Sequence, residues 1–213
     1  MILDKKNDDK DRLLLAMLPH VVFDGWSPGS LAAGMRDLDA EVSQATILFP
    51  GGMRDLAVHF GDYIDRKMLS ELGNIDMEKL SIRERIGTSV LLRLRLLSPH
   101  KEEIRRLLSF LALPGNHPTG FKITMKTIDL IWYAAGDTAT DFNYYTKRGL
   151  LASIYVSTII YWLSDTSHNQ SETNAFLSQR IDNVMQIPKL KGKVVKKIKA
   201  LVSPLGFIKS KIS

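Results

Sequence analysis

The chain has 213 residues, of which 45% are hydrophobic and 24% are charged, a balance that is typical of one globular domain and excludes a disordered or fibrous protein. The absence of cysteine excludes disulfides, thiolate nucleophiles and zinc sites of the cysteine type. Residues 189–213 contain eight lysines and no acidic residue, so the net charge of +6 belongs to a basic tail that follows a folded body over residues 1–188.

The first half of the chain contains the signals of four helices. Apolar residues at helical spacing predict a first helix around Leu13–Val21, with Pro19 marking a kink or a nearby end. Ser27 and Pro28 predict the N-cap and the first position of a short second helix. Asp39 predicts the N-cap of a third helix over Ala40–Phe49. A longer fourth helix follows, with an apolar stripe formed by Leu56, Phe60, Tyr63, Ile64 and Met68.

The second half contains the signals of five further helices. The fifth covers Ile82–Leu97, and Ser98-Pro99 predicts the cap and the first turn of the sixth. The seventh ends at Gly136, the eighth runs over about Asp141–Leu163, and the ninth includes Phe176–Met185. With an amphipathic helix in the tail, the pattern predicts an all-α fold of about ten helices.

Signals for secretion and for membrane insertion are absent from the sequence. The first eleven residues mix acidic and basic side chains, unlike a secretory signal or an arginine-rich transit peptide. The apolar segment Leu150–Leu163 is interrupted by Ser153, Ser157 and Thr158, and it is shorter than the ~18 to 20 residues that span a bilayer. We therefore expect a protein of the bacterial cytoplasm.

Catalytic and metal-binding patterns are also missing. The five histidines form no His-x-x-x-His or Glu-x-x-His pair, and no nucleophile elbow or phosphate loop is present. Asp129, Asp137 and Asp141 lie on or beside predicted helix ends, where carboxylates usually cap a helix or meet its dipole. The sequence therefore predicts no catalytic residue, no metal site and a protein that is not an enzyme.

The order of the first four helices resembles the helix-turn-helix layout of tetracycline-repressor-like proteins. The predicted recognition segment, residues 39–50, contains Asp39 and Glu41 but no lysine or arginine. Because phosphate neutralisation supplies most non-specific DNA affinity, we predict a degenerate helix-turn-helix and no nucleic-acid binding. A lipid-sensing transcriptional regulator of the same fold is the alternative.

The segment from Trp132 to Arg148 reads WYAAGDTATDFNYYTKR and resembles the signature of the coenzyme Q biosynthesis protein nine family. This similarity is specific, because the segment is long and rich in low-frequency residues. Shorter similarities occur at Phe23–Trp26, Leu111–Asn116 and Leu151–Tyr155. The resemblance extends over about residues 11–187, which is most of the chain.

The resemblance implies a homodimer with a repressor-like fold that has lost DNA binding. It also implies that the protein needs no cofactor, holds an isoprenoid quinone or a phospholipid, and presents ubiquinone intermediates to a di-iron hydroxylase at the membrane. Carried over by position, the partner-facing residues are Ile131, Trp132, Asp141, Tyr144, Tyr145 and Arg148. The family often has a tryptophan at the position of Tyr144. The tyrosine departs from that pattern but is still an aromatic anchor. As the alternative, Trp132, Phe142 and the two tyrosines are ordinary core residues.

A lipid cavity requires helices that are apolar around much of their circumference, and the segment Leu150–Leu163 has this character. Each candidate for the cavity wall is alternatively a plain core residue. The candidates are Leu96, Leu111, Ile128, Ile154, Thr158 and Tyr161.

The basic tail separates its apolar and charged residues as a membrane-surface helix does. Its apolar face contains Leu190, Val194, Ile198, Leu201 and Val202, and its lysines include Lys193, Lys196 and Lys197. Such a helix binds an anionic bilayer, where each lysine contributes ~1 kcal/mol. We therefore expect a peripheral protein on the inner membrane. The alternatives are a solvated tail that folds back on the body and a tail that binds nucleic acid.

Overall fold

The computed structural model describes residues 2–137 and 142–183, and within these ranges every regular element is helical. The predicted all-α class is therefore confirmed. The predicted tail helix, the boundary at Pro188 and Asp141 lie outside the described residues. The helices are α1 Ile2–Asp24, α2 Pro28–Asp37, α3 Val42–Leu48, α4 Met53–Leu72, α5 Ile82–Leu97, α6 Lys101–Leu111, α7 His117–Ala134, α8 Phe142–Ser164 and α9 at residues 171–183.

Helices α1 and α2 form a closely packed pair at the N-terminus. Ser27 caps α2 as predicted, in a reciprocal box with Ser30 in which each backbone N–H donates to the other hydroxyl at 3.3 Å. Gly34 lies against α1, and a Cβ atom at this position would be 2.8 Å from the backbone of Met17. The two helix axes therefore approach so closely that only glycine fits at Gly34.

Three local predictions for the helix ends need correction. Asp39 does not cap α3: it adopts a left-handed conformation with φ of 50°, and its N–H donates to Arg36 in the turn that ends α2. Ser98 does not cap α6, because its hydroxyl donates to the Leu94 carbonyl in the last turn of α5 at 3.0 Å. Of the two alternatives at Pro19, a kink or a nearby end, the end is wrong, because helix α1 continues to Asp24.

The core lies between α4 and the helices that surround it, α1, α5 and α7, with α8 packed on α7. It includes fully buried large side chains such as Phe60 and Trp162, and each such side chain stabilises the fold by about 1.5–3 kcal/mol. Gly61 allows α4 and α7 to approach, since a Cβ there would lie 2.9 Å from the Ile123 side chain. None of the helices in the described ranges is long and apolar enough to cross a membrane.

The loop after α8 is organised by the buried Asp165 carboxylate. One oxygen accepts from the Ser167 N–H at 2.7 Å, and the other accepts from the Thr173 N–H at 2.9 Å and from its hydroxyl at 2.5 Å. Burial alone would raise the pKa of Asp165, but these hydrogen bonds hold it well below its ordinary value of 3.8. The charged carboxylate thus fixes the start of α9.

Candidate functional site

The corner between α7 and α8 is built by the end of α7 and the first turns of α8. Gly136 has φ of 83°, its N–H donates to Tyr133, and the next N–H, of Asp137, donates to Trp132, both at 3.0 Å. This Schellman pattern satisfies the last carbonyls of α7 and explains why the helix ends there. Arg85 of α5 also donates to the Ala135 carbonyl at 3.2 Å, and this hydrogen bond connects α5 to the corner.

An ion-pair cluster joins the two helices at this corner. The buried Arg148 of α8 donates to the Asp129 carboxylate of α7, and its Nη1 lies 3.5 Å from Asp137 Oδ2. Lys147 Nζ pairs with the other oxygen of Asp137 at 2.8 Å. Asp129 and Asp137, which were predicted to cap a helix or meet its dipole, thus also neutralise cations from the neighbouring helix.

The same two cations organise the aromatic side chains of the corner. The Arg148 guanidinium carbon lies 3.3 Å from the ring centroid of Tyr144, and Lys147 Nζ lies 5.6 Å from that of Trp132. Tyr145 packs edge-on against Tyr144 and is 75% exposed. Tyr133, which the sequence analysis did not select, is 77% exposed at the end of α7. The corner therefore presents rigidly supported aromatic rings to solvent.

The residues predicted to face a partner thus lie at different depths. Tyr145 is exposed, Tyr144 and Trp132 are half-buried, and Arg148 is buried beneath them. Ile131 is fully buried in the core. Partner binding by this group remains a prediction.

A second feature is an apolar cavity of about 70 Å³ inside the bundle. It lies between α4, α5, α6, α7 and α8, and most of its lining is aliphatic. The lining includes Phe60, Ile64, Leu97, Ile104, Leu107, Leu108, Leu111, Ile123 and Ile159.

The cavity also has a polar wall, which we define as Asp65, Arg93, Thr127 and Tyr155. Arg93 and Tyr155 line the cavity, while Asp65 and Thr127 lie behind them. Arg93 Nε donates to Asp65 at 2.7 Å, Arg93 Nη1 donates to the Tyr155 hydroxyl, and the Thr127 hydroxyl donates to Asp65 at 3.0 Å. All four side chains are buried, and each comes from a different helix.

Burial has a clear electrostatic effect on the polar wall. It raises the pKa of Tyr155 to about 12, against the opposing influence of Arg93. Burial disfavours the charged form of Arg93, but its contacts with Tyr155 and Asp65 more than compensate and raise its pKa. The tyrosine is therefore protonated at neutral pH, and Arg93 and Asp65 form a charged pair.

Only one of the six predicted lipid-binding residues, Leu111, lines this cavity. Ile128, Ile154 and Thr158 are buried in the bundle but are not among its lining residues, and Leu96 is partly buried. Tyr161 stacks on Phe176 with ring centroids 4.5 Å apart. Lipid contact by these six residues remains a prediction.

The polar wall was not predicted from the sequence, although one signal was present. Ile86, Val90, Arg93 and Leu97 follow each other at spacings of four, three and four residues, so Arg93 falls on the apolar face of α5. A charged residue on such a face requires a buried partner. That partner, Asp65, belongs to α4 and could not be identified from the spacing alone. In the described part of the chain, no group of side chains has the composition of a metal site.

Comparison with known proteins gives the following similarities. The COQ9 family model matches residues 117–188. The human mitochondrial ubiquinone biosynthesis protein COQ9 is 31% identical over 200 residues, which are 89% of this chain and 60% of the human protein. The probable ubiquinone biosynthesis protein coq9 of Dictyostelium discoideum is 27% identical over 191 residues, 87% of this chain and 62% of that protein. The chain thus spans about three fifths of the length of these curated relatives.

The crystal structure of a TetR transcriptional regulator from Nitrosomonas europaea has the same fold. The two structures have a TM-score of 0.70 at 18% sequence identity, over 84% of this chain and 99% of the regulator. The predicted repressor-like architecture is therefore confirmed. The family model covers α7, the α7–α8 corner and α8, where the signature segment lies. From the match of the family model to residues 117–188 and the relatives that are similar over most of its length, this chain is similar to the proteins of the COQ9 family.

Proposed function

We propose that this protein acts in ubiquinone biosynthesis as a non-enzymatic accessory protein that binds an isoprenoid quinone intermediate and presents it to the hydroxylase of the pathway. The observation that carries the proposal is the apolar cavity with a polar wall in a chain that is similar to the proteins of the COQ9 family. Its curated relatives are ubiquinone biosynthesis proteins, and their names give a pathway without a reaction.

A lipid enters this cavity when the bundle opens. The volume of about 70 Å³ is roughly half of the ~150 Å³ cavity that accepts benzene in an engineered protein, so an aromatic head group needs more room. Helix α6 packs less extensively on α7 than α4 does, and we place the opening on the α6–α7 side. Beside the lining residues Leu111 and Gly120, the exposed side chains of Leu113 and Phe121 form an apolar rim. This rim is where we place the lipid entrance, facing the membrane surface.

The partner surface in this proposal is the α7–α8 corner. Tyr133 and Tyr145 offer exposed aromatic rings of the kind that anchor protein interfaces. Arg148 lies beneath Tyr144 and pairs with two carboxylates of the α7 side, so the aromatic group is held in a fixed arrangement before binding. We also propose the homodimer that the family resemblance implies, and native mass spectrometry of the purified protein measures its oligomeric mass.

A transcriptional regulator is less well supported, although a TetR regulator has this fold. The surface of α3 presents Val42 and Ile47 with no basic residue in the helix, and Asp39 and Glu41 precede it in exposed positions. A recognition helix of this kind repels phosphate and has no group to neutralise it. We expect no band shift with the upstream DNA of its own gene at physiological salt.

The central test is native mass spectrometry and lipid extraction of the purified full chain. Co-purified isoprenoid quinone or quinone precursor supports the proposal, and a protein that neither carries nor takes up such lipids contradicts it. For the partner surface, replacing Tyr144 and Tyr145 with alanine should weaken capture of the hydroxylase without changing the helical signal. Phe23→Ala, which removes an exposed aromatic ring from α1, is the matched control and should leave capture unchanged.

A further inference from the structure

The hydrogen-bond directions in the polar wall leave one donor unused. A guanidinium group can only donate, so in the contact between Arg93 Nη1 and the Tyr155 hydroxyl the tyrosine oxygen is the acceptor. The hydrogen of that hydroxyl must therefore point to another acceptor. Within residues 2–137 and 142–183, the Tyr155 hydroxyl donates no hydrogen bond.

The side chain of Tyr155 lines the cavity. Tyr155 is almost fully buried and is one of two polar side chains from the polar wall that line this space. Ile159, one turn along α8, and Leu97, one turn along α5 from Arg93, also line it and are aliphatic, and Thr124 of α7 adds one further hydroxyl to the lining. A buried O–H group without an acceptor is costly, so this position favours a ligand or a water molecule with an acceptor oxygen.

The polar wall has no net charge that could attract a charged ligand. The Arg93 cation is neutralised by Asp65, whose carboxylate is further occupied by the Thr127 hydroxyl. An anionic head group would lose its hydration here without gaining an unpaired cation, and it would lie close to the Asp65 carboxylate. A neutral carbonyl or phenol oxygen avoids both costs.

We propose that Tyr155, positioned by Arg93, donates a hydrogen bond to a neutral acceptor oxygen on the head of the bound lipid. The cavity therefore selects uncharged amphiphiles with a carbonyl or phenol oxygen, and it disfavours both bare hydrocarbons and lipid anions. This inference rests on the proposed lipid-binding function and assigns its head-group specificity. The high pKa of Tyr155 agrees with it, since the hydroxyl keeps its hydrogen at neutral pH.

The test compares three ligands that share one tail: a farnesylated benzoquinone, the hydrocarbon farnesene and farnesyl phosphate. Their affinities for the full chain are measured by displacement of the neutral fluorophore aminoanthracene. We expect the quinone to bind about two- to twelvefold more tightly than farnesene, the range for one hydrogen bond, and farnesyl phosphate to bind most weakly.

Tyr155→Phe should abolish the preference for the quinone over farnesene while leaving farnesene affinity unchanged. Tyr63→Phe is the matched control, because Tyr63 is also buried but does not line the cavity; it should keep the preference. If Tyr155→Phe retains the preference, or changes all three affinities equally, the hydroxyl serves a cavity water and the inference is wrong. If the wild-type protein binds none of the three ligands, the proposed lipid-binding function itself fails.

Discussion

Breaking the buried ion pair of the polar wall should strongly destabilise the fold. Arg93→Met keeps most of the side-chain length but leaves the Asp65 carboxylate buried with only the Thr127 hydroxyl as a donor. Removing one partner of a buried pair costs about 3–5 kcal/mol. At about 2–4 °C per kcal/mol for a protein of this size, the melting temperature should fall by roughly 6–20 °C.

The assay is urea and thermal unfolding followed by circular dichroism, with two matched variants. Arg95→Met, two residues further along α5, removes an exposed arginine that pairs with Glu71 at 2.8 Å and should cost about 0–1 kcal/mol. The double variant Asp65→Leu with Arg93→Met should recover much of the lost stability, because no buried charge is left unpaired. The reasoning is refuted if Arg93→Met costs no more than Arg95→Met, or if the double variant is less stable than either single variant.

Three further predictions concern the packing, the α8–α9 loop and the tail. Gly34→Ala should cost about 1–3 kcal/mol in urea unfolding because its Cβ would lie 2.8 Å from the backbone of α1, whereas Gly149→Ala, with nothing within 4 Å of its Cβ, should be neutral or stabilising. Asp165→Asn should lower the free energy of unfolding by about 1–3 kcal/mol at pH 7. Because the pKa of Asp165 in the folded protein lies below 3.8, this loss should persist down to pH 3.8 and shrink at lower pH as the carboxyl becomes protonated. A loss of stability that does not change with pH contradicts this prediction. Deletion of residues 189–213 should abolish sedimentation with anionic liposomes, and Ile198→Asp should weaken it. If high salt fully abolishes liposome binding by the wild type and Ile198→Asp has no effect, the tail binds only as a polycation and not as an inserted helix.

Local signals in the sequence predicted those parts of the fold that depend on neighbouring residues. The Ser27 cap was predictable because its partner, Ser30, is three residues away. Asp39 and Ser98 are also good cap residues, but the backbone N–H of Asp39 donates to the end of α2 and the Ser98 hydroxyl donates to the last turn of α5. A sequence pattern does not show which of these local hydrogen bonds forms.

The candidate site was predictable only where the family resemblance covers it. The signature segment predicted a site at the α7–α8 corner, and that site remains a prediction; it did not show that Arg148 is buried or that Asp129 pairs with it. The polar wall depends on four helices that are far apart in sequence, with Asp65 and Tyr155 separated by ninety residues. Such a contact is fixed by the packing of the whole bundle and leaves little trace in local spacing.

Helix α8 carries both the exposed Tyr145 of the corner and the Tyr155 hydroxyl of the cavity. The two residues are ten positions apart, which corresponds to about 15 Å along one helix. If α8 moves as a rigid body to enlarge the cavity for the proposed lipid, the corner moves with it. Thermodynamic linkage then requires reciprocity: whatever factor lipid occupancy applies to the affinity of the partner, partner docking applies to the affinity of the lipid. A partner that prefers the unloaded position of α8 would therefore expel the lipid as it docks, with no separate energy source for the transfer.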